Sequence, residues 1–218
     1  PRATLRSGTC GPHPAHTSAN NPASSHGDPC ASIAHGCTGV MATRLSLSRA
    51  GYVVTEAGCG ADLGAEKFLD IKCRMTGLAP NAVVLVATVR ALKHHGGCPK
   101  DQLGVPNVDY LKAGAANLAR HVENMRGFGV PVCVAINAFP TDTKAELDMV
   151  EAKCKELGVN VALSEVWAKG GEGGKALATA VVRLCEQPND FHQSYELASR
   201  TLDQLNALLN AIREEPPY

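Results

Sequence analysis

Apolar positions along this chain follow two rhythms that take turns. From Ala82 to Ala87 the run Ala-Val-Val-Leu-Val-Ala has no polar interruption, which predicts a strand covered on both faces, as in the middle of a parallel sheet. Val130-Pro-Val-Cys-Val-Ala-Ile136 and the shorter Asn160-Val-Ala-Leu163 read as further strands, and Tyr52-Val-Val-Thr55 as another. Between these runs the period lengthens. Leu111, Ala115, Leu118, Val122 and Met125 recur at helical spacing between Val108 and Phe128, with Arg120, Glu123 and Arg126 on other faces, so a surface helix covering the sheet is predicted there and ends at Gly129. Asp142 or Thr143 is placed to cap a helix through Leu147 and Val150. Further helices are predicted over Val40 to Arg49, around Glu66-Lys-Phe68, from Lys175 to about Cys185, and from Leu197 to Ile212 before Pro216-Pro217.

This strand–helix alternation predicts an α/β fold: a parallel layer with four strand ends converging on one edge. At that edge would lie Thr55 and Glu56, then Arg90 and Lys93, then Asn137, Phe139 and Asp142, then Glu165, Trp167 and Lys169. Ligands of open α/β sheets collect outside the carboxyl ends of the strands. The sets combine rings with both charge signs, which suits a ligand with a flat aromatic part and acidic groups. Arg90, Lys93, His94 and His95 follow the first strand closely. They read either as an anion site or as a solvated basic loop, and spacing alone does not separate the two. Trp167, the single tryptophan, stands before a glycine loop at a strand end, a position that favours a ligand platform over core packing.

Composition narrows the classes. Basic and acidic residues balance at 21 each, so no global field favours nucleic acid or a membrane surface, and no apolar run approaches the ~20 residues that span a bilayer. The nine cysteines are odd in number and form no Cys-x-x-Cys pair, which predicts reduced, mostly buried thiols in a cytoplasm-like compartment. Residues 1–25 carry no acidic group and are rich in Ser, Pro and His. They resemble a transit peptide only weakly and are expected to be disordered. His26, Cys30, His35 and Cys37 could in principle hold zinc, but their spacing matches no standard ligand pattern and an ordinary loop with buried thiols is the expectation. Gly58, Gly60 and Gly64 are spaced one residue longer than the dinucleotide fingerprint, so a tight strand-to-helix turn is expected rather than a dinucleotide-dependent oxidoreductase. No G-x-x-x-x-G-K-[ST] motif occurs anywhere in the chain.

Several stretches resemble one family in the order in which that family carries them. They are Ile33-Ala-His-Gly-Cys37, Val54-Thr-Glu-Ala-Gly58, Ala61-Asp-Leu-Gly-Ala-Glu-Lys-Phe68, Val86-Ala-Thr-Val-Arg-Ala-Leu-Lys-His-His-Gly-Gly97, Asn137-Ala-Phe-Pro-Thr-Asp-Thr143 and Leu163-Ser-Glu-Val-Trp-Ala-Lys-Gly-Gly-Glu-Gly-Gly174. The chain is similar to formate–tetrahydrofolate ligase, also called 10-formyltetrahydrofolate synthetase, and closer to its bacterial single-function form. The resemblance implies a mostly parallel sheet flanked by helices, part of a P-loop NTPase-like ligase fold. It implies that ATP, as its Mg2+ complex, phosphorylates formate, and that tetrahydrofolate takes the formyl group. It also implies cytoplasmic location and a homotetramer. By motif position the pterin-holding residues correspond to Phe139, Leu163 and Trp167. Arg90 and Lys93 belong to the signature as catalytic candidates without individual roles, and Asn137 and Asp142 are expected on the nucleotide side. No metal ligands are implied.

Departures from the family are also visible. Asp28, Cys30 and Cys59 stand where the family usually has glycine, phenylalanine and phenylalanine, and loss of two rings costs stability if the positions are buried. Family members are more than twice as long and carry a P-loop upstream. The likeness is clearest over residues 26–191, with 1–25 unmatched and 192–218 a divergent C-terminal helix. An internal piece of the ligase is therefore expected, with a non-catalytic folate-binding fragment as the alternative.

Overall fold

The computed structural model describes residues 13–17, 21–25, 39–58 and 60–196. Two compact units divide at residues 79 and 80. In the first, β1 (His13–His16) and β2 (Pro22–Ser25) form an antiparallel ribbon, inside the span for which the sequence suggested no fixed structure. Helix α1 (Val40–Leu47) follows, then a long helical stretch over residues 61–76, here α2, with wide turns at Ala61–Ala65 and Phe68–Cys73. Gly77 closes α2 at φ +66°, a left-handed conformation that costs a residue without a Cβ little.

The second unit is an α/β layer built on three parallel strands: β3 (Val83–Ala87), β4 (Val132–Asn137) and β5 (Asn160–Ser164), in the order β3-β4-β5. Helices α3 (Val89–His95) and α4 (Val108–Gly127) connect β3 to β4, and α5 (Lys144–Glu156) connects β4 to β5. After β5 come the short α6 (Val166–Lys169), a 3-10 turn at Gly170–Gly174 and α7 (Lys175–Cys185). Register places Val84 beside Cys133, Val86 beside Ala135, and Asn137 beside Ser164. These residues share one face of the sheet, because side chains alternate along a strand. On that face Leu177, Ala180 and Leu184 of α7 pack with Cys133 and Ala162. Leu111, Ala115, Leu118, Val122 and Met125 of α4 are all buried, as the helical spacing predicts.

Two strand expectations are corrected. The run 82–87 is a strand, but not one covered on both faces: Val86 is 63% exposed and Val84 is also open. The α7 helix covers the β4 and β5 columns of that face and leaves β3 uncovered, whereas the fully enclosed strand is β4, buried from Val132 to Ile136. An unbroken apolar run marks a strand without revealing its place in the order. Tyr52 to Thr55 forms no strand, and Val54 is 94% exposed. A β-branched run becomes a strand only where a neighbour takes its backbone hydrogen bonds. Three strand ends, not four, therefore share the edge among the described residues. The His26, Cys30, His35 and Cys37 loop, Cys59 and the Leu197 to Ile212 helix lie outside them. No helix among them is long and apolar enough to cross a membrane.

Candidate functional site

Chemistry gathers where β3 and β4 end. After β3, the Thr88 hydroxyl accepts the Ala91 N–H at 3.1 Å and caps α3, so the basic segment is a helix rather than a loop. Its cations then diverge. Arg90 is exposed, holds its guanidinium 5.1 Å from the Phe139 ring centre and donates to Thr141 Oγ1 at 3.1 Å. Lys93, three residues on, turns inward and is 2% exposed.

Phe139 and Thr141 belong to a tight turn after β4. Asp142 organises it: its Oδ2 accepts the Phe139 N–H at 2.8 Å, and its own N–H donates to the Phe139 carbonyl at 2.9 Å. One Asp142 oxygen is thus committed to holding the ring in place. Asn137 ends β4, and its buried Oδ1 has no hydrogen-bond partner. A buried amide oxygen left open is an acceptor waiting for a donor, since polar atoms in such places are nearly always paired.

At the end of β5, register pairs Ile136 with Leu163 and Asn137 with Ser164. Leu163 therefore lies on the sheet face opposite Asn137. It lines a groove of about 560 Å³ with Leu147, Val161 and Ala176 along the free edge of β5. Trp167 sits in α6, 67% exposed, midway in sequence between Glu165 and Lys169, which form an ion pair 2.6 Å long. The structure thus joins Arg90, Phe139 and Asp142 directly, places Leu163 and Trp167 at the neighbouring strand end, and takes Lys93 into the interior.

The residue that sequence reasoning missed is Glu146. It is fully buried, and its Oε1 accepts from Lys93 Nζ at 2.9 Å and from the Asn107 N–H at 3.0 Å. Its Oε2 accepts the Thr143 N–H at 3.0 Å and the Thr143 hydroxyl at 2.7 Å, while Thr143 Oγ1 receives the Glu146 N–H, completing a capping box at the start of α5. Thr143, rather than Asp142, is therefore the cap. The Thr-x-x-Glu spacing was the available signal. Asn107 itself caps α4, its Oδ1 accepting from the Asp109 and Tyr110 N–H groups. Lys93 also donates to the Val105 carbonyl at 3.1 Å.

Burial pushes the Glu146 carboxyl up, but the hydrogen bonds from Lys93, Thr143 and Asn107 outweigh it and bring the pKa from 4.5 to about 2. A depressed carboxylate stabilises the fold above its unfolded value and loses that contribution as pH falls towards its folded value. Stability is accordingly expected to drop by ~3 kcal/mol between about pH 5 and pH 2 through this group. Urea unfolding across that range checks it, with the acid loss absent in Lys93→Met/Glu146→Leu.

Among the described residues no group of three or more His, Cys, Asp or Glu side chains could hold a metal ion. A family model for formate–tetrahydrofolate ligase matches residues 3–214, a span that runs past both ends of the motif-bearing stretch 26–191. With nearly all of its 218 residues matched, the chain belongs to the formate–tetrahydrofolate ligase family, a family of ligases.

Proposed function

We propose that this chain takes part in ATP-dependent ligation of formate to tetrahydrofolate by way of formyl phosphate, within a P-loop NTPase-like ligase fold. A formate oxygen attacks the γ-phosphorus of ATP and ADP leaves. N10 of tetrahydrofolate then attacks the formyl carbon, inorganic phosphate leaves, and N10 loses its proton, giving 10-formyltetrahydrofolate. Mg2+ enters with ATP as part of the substrate. The observation that carries this reading is the Arg90 guanidinium over the Phe139 ring at the ends of β3 and β4, a cation and an aromatic face in one place. A flat pterin needs such a face, supplied by Phe139 with Leu163 and Trp167. The acyl phosphate needs the charge of Arg90. We place Asn137 and Asp142 on the nucleotide side, with the open Asn137 Oδ1 ready for a donor. The free thiols of Cys98, Cys133, Cys154 and Cys185 suit a reducing, cytoplasmic setting.

Phosphoryl transfer depends on positioning and charge neutralisation, and no P-loop motif occurs in these 218 residues. That fact favours the second reading, a folate-binding segment without turnover of its own. Two measurements separate the readings. Trp167, as the only tryptophan, reports tetrahydrofolate directly: its fluorescence is expected to change saturably below millimolar ligand, and Phe139→Ala is expected to weaken binding about tenfold, the scale of a lost aromatic contact. An unchanged signal at millimolar tetrahydrofolate would reject the folate site. Incubation with ATP, Mg2+, formate and tetrahydrofolate then tests catalysis, and binding without 10-formyl product would leave the non-catalytic reading.

A further inference from the structure

The Arg90 contact joins two short pieces, the first turn of α3, capped by Thr88, and the turn at 139–142, closed by Asp142. A cation over a ring and one hydrogen bond to a hydroxyl are weak at an exposed position, and a free arginine samples many rotamers. Behind this contact the two pieces are joined by one carboxylate. Oε1 of Glu146 takes Lys93 of α3, and Oε2 takes the backbone and hydroxyl of Thr143, which follows the 139–142 turn directly. Lys93 lies three residues after Arg90, so the two side chains project from adjacent faces of the helix. Alongside the buried Val89 and Leu92, fixing Lys93 therefore helps to set the rotation of α3 and the direction from which Arg90 leaves it. The same cluster also holds the entry to α4 through Val105 and Asn107.

We infer that Lys93 and Glu146 are positioning residues: together they staple α3 to the start of α5 and set Arg90 against Phe139 and Thr141, without touching substrate themselves. This rests on the folate reading only for what the positioned site binds; the staple is a statement about Arg90. Both Lys93 oxygen partners are protein groups, and its near-complete burial places its amine away from any surface ligand. Lys93 is thereby moved from the catalytic candidates to the support of one.

The test uses the full chain and reads Arg90 by its rate of modification with phenylglyoxal, mapped by peptide mass spectrometry. Arg126 is the internal reference, because it bonds the Leu157 and Gly158 carbonyls away from the strand-end turn. In Glu146→Gln the Arg90 rate is expected to rise about fivefold, the scale of lost contacts of this class, while Arg126 does not change. If Glu146→Gln does not fold, Lys93→Met/Glu146→Leu removes the staple without leaving a charge buried, and the same rise at Arg90 is expected. An unchanged Arg90 rate in a folded variant, or Arg90 and Arg126 rising in step, would overturn the inference. The tetrahydrofolate Kd adds an independent arm: Glu146→Gln is expected to raise it about fivefold in the parent and hardly at all in Arg90→Ala. Equal rises in both backgrounds would argue for general loosening and against the staple. If the parent chain binds no tetrahydrofolate, the folate reading fails, and the Arg90 rates still decide the staple.

Discussion

Glu146→Leu is expected to destabilise the α/β unit by ~3–5 kcal/mol, the cost of removing one partner from a buried ion pair. The loss has two parts. Lys93 would be left in a fully enclosed place with only the Val105 carbonyl to accept from it, and the N–H groups of Thr143 and Asn107 would lose their acceptor. Adding Lys93→Met separates them. An apolar pair of similar volume in place of a buried salt bridge is often neutral, so the double variant should recover most of the loss. A residue of about 1–2 kcal/mol should remain for the lost cap and backbone bonds. Urea midpoints of the parent, both single variants and the double variant provide the cycle. Equal destabilisation by Glu146→Leu and by the double variant would show that the charge of Lys93 is not the source of the cost.

Gly114→Ala is the second large effect, at ~3 kcal/mol or more. A methyl group at Gly114 would lie 1.8 Å from the Leu92 carbonyl oxygen, and one at Gly96 would lie 1.8 Å from the Tyr110 carbonyl oxygen. Both obstacles are backbone, so neither can swing aside, and α3 and α4 would have to separate. Overpacking of this kind ordinarily costs 1–3 kcal/mol with a side chain as the obstacle; here the obstacle is rigid. Helix propensity alone argues the opposite sign, since alanine is favoured over glycine by about 1 kcal/mol in a helix interior. Gly127→Ala supplies the control: it lies in α4 with nothing within 4 Å of the added atom and should leave stability unchanged or raise it. Because α3 carries Arg90 and Lys93, Gly114→Ala should also weaken tetrahydrofolate binding under the proposed function. Thermal or urea unfolding of the three proteins checks the order, and a stabilising Gly114→Ala would contradict the packing.

How much of this could be read beforehand differs by element. Helix α4 was legible because its five apolar positions from Leu111 to Met125 keep the helical period over about four turns and a glycine ends it. The cap at Thr143 was legible to within one residue. The strand run 82–87 was legible as a strand, yet its exposed Val86 was not, because period-two alternation is erased when both faces carry valine. Tyr52 to Thr55 has the composition of a strand and lacks a partner. Among the site residues, Arg90, Phe139 and Asp142 do meet. Leu163 and Asn137, by contrast, fall on opposite faces of the sheet, since a strand turns alternate residues opposite ways and a one-residue step in register exchanges them. The directions of Arg90 and Lys93 were not legible either: both are cations on one short helix, and only the carboxylate of a residue 53 positions away from Lys93 draws one of them inward.

By itself, the sequence determined the α/β class, the order of the main elements in the second unit, the cap of α5 to within one residue and the family, because periodicity, capping residues and motif order are properties of neighbours along the chain. Only the tertiary structure decided which strand is enclosed, that α3 and α4 meet at Gly96 and Gly114, and that Lys93 serves Glu146 while Arg90 faces Phe139. Those outcomes depend on groups far apart in sequence competing for the same few ångströms of space and the same lone pairs, and no local pattern records who wins.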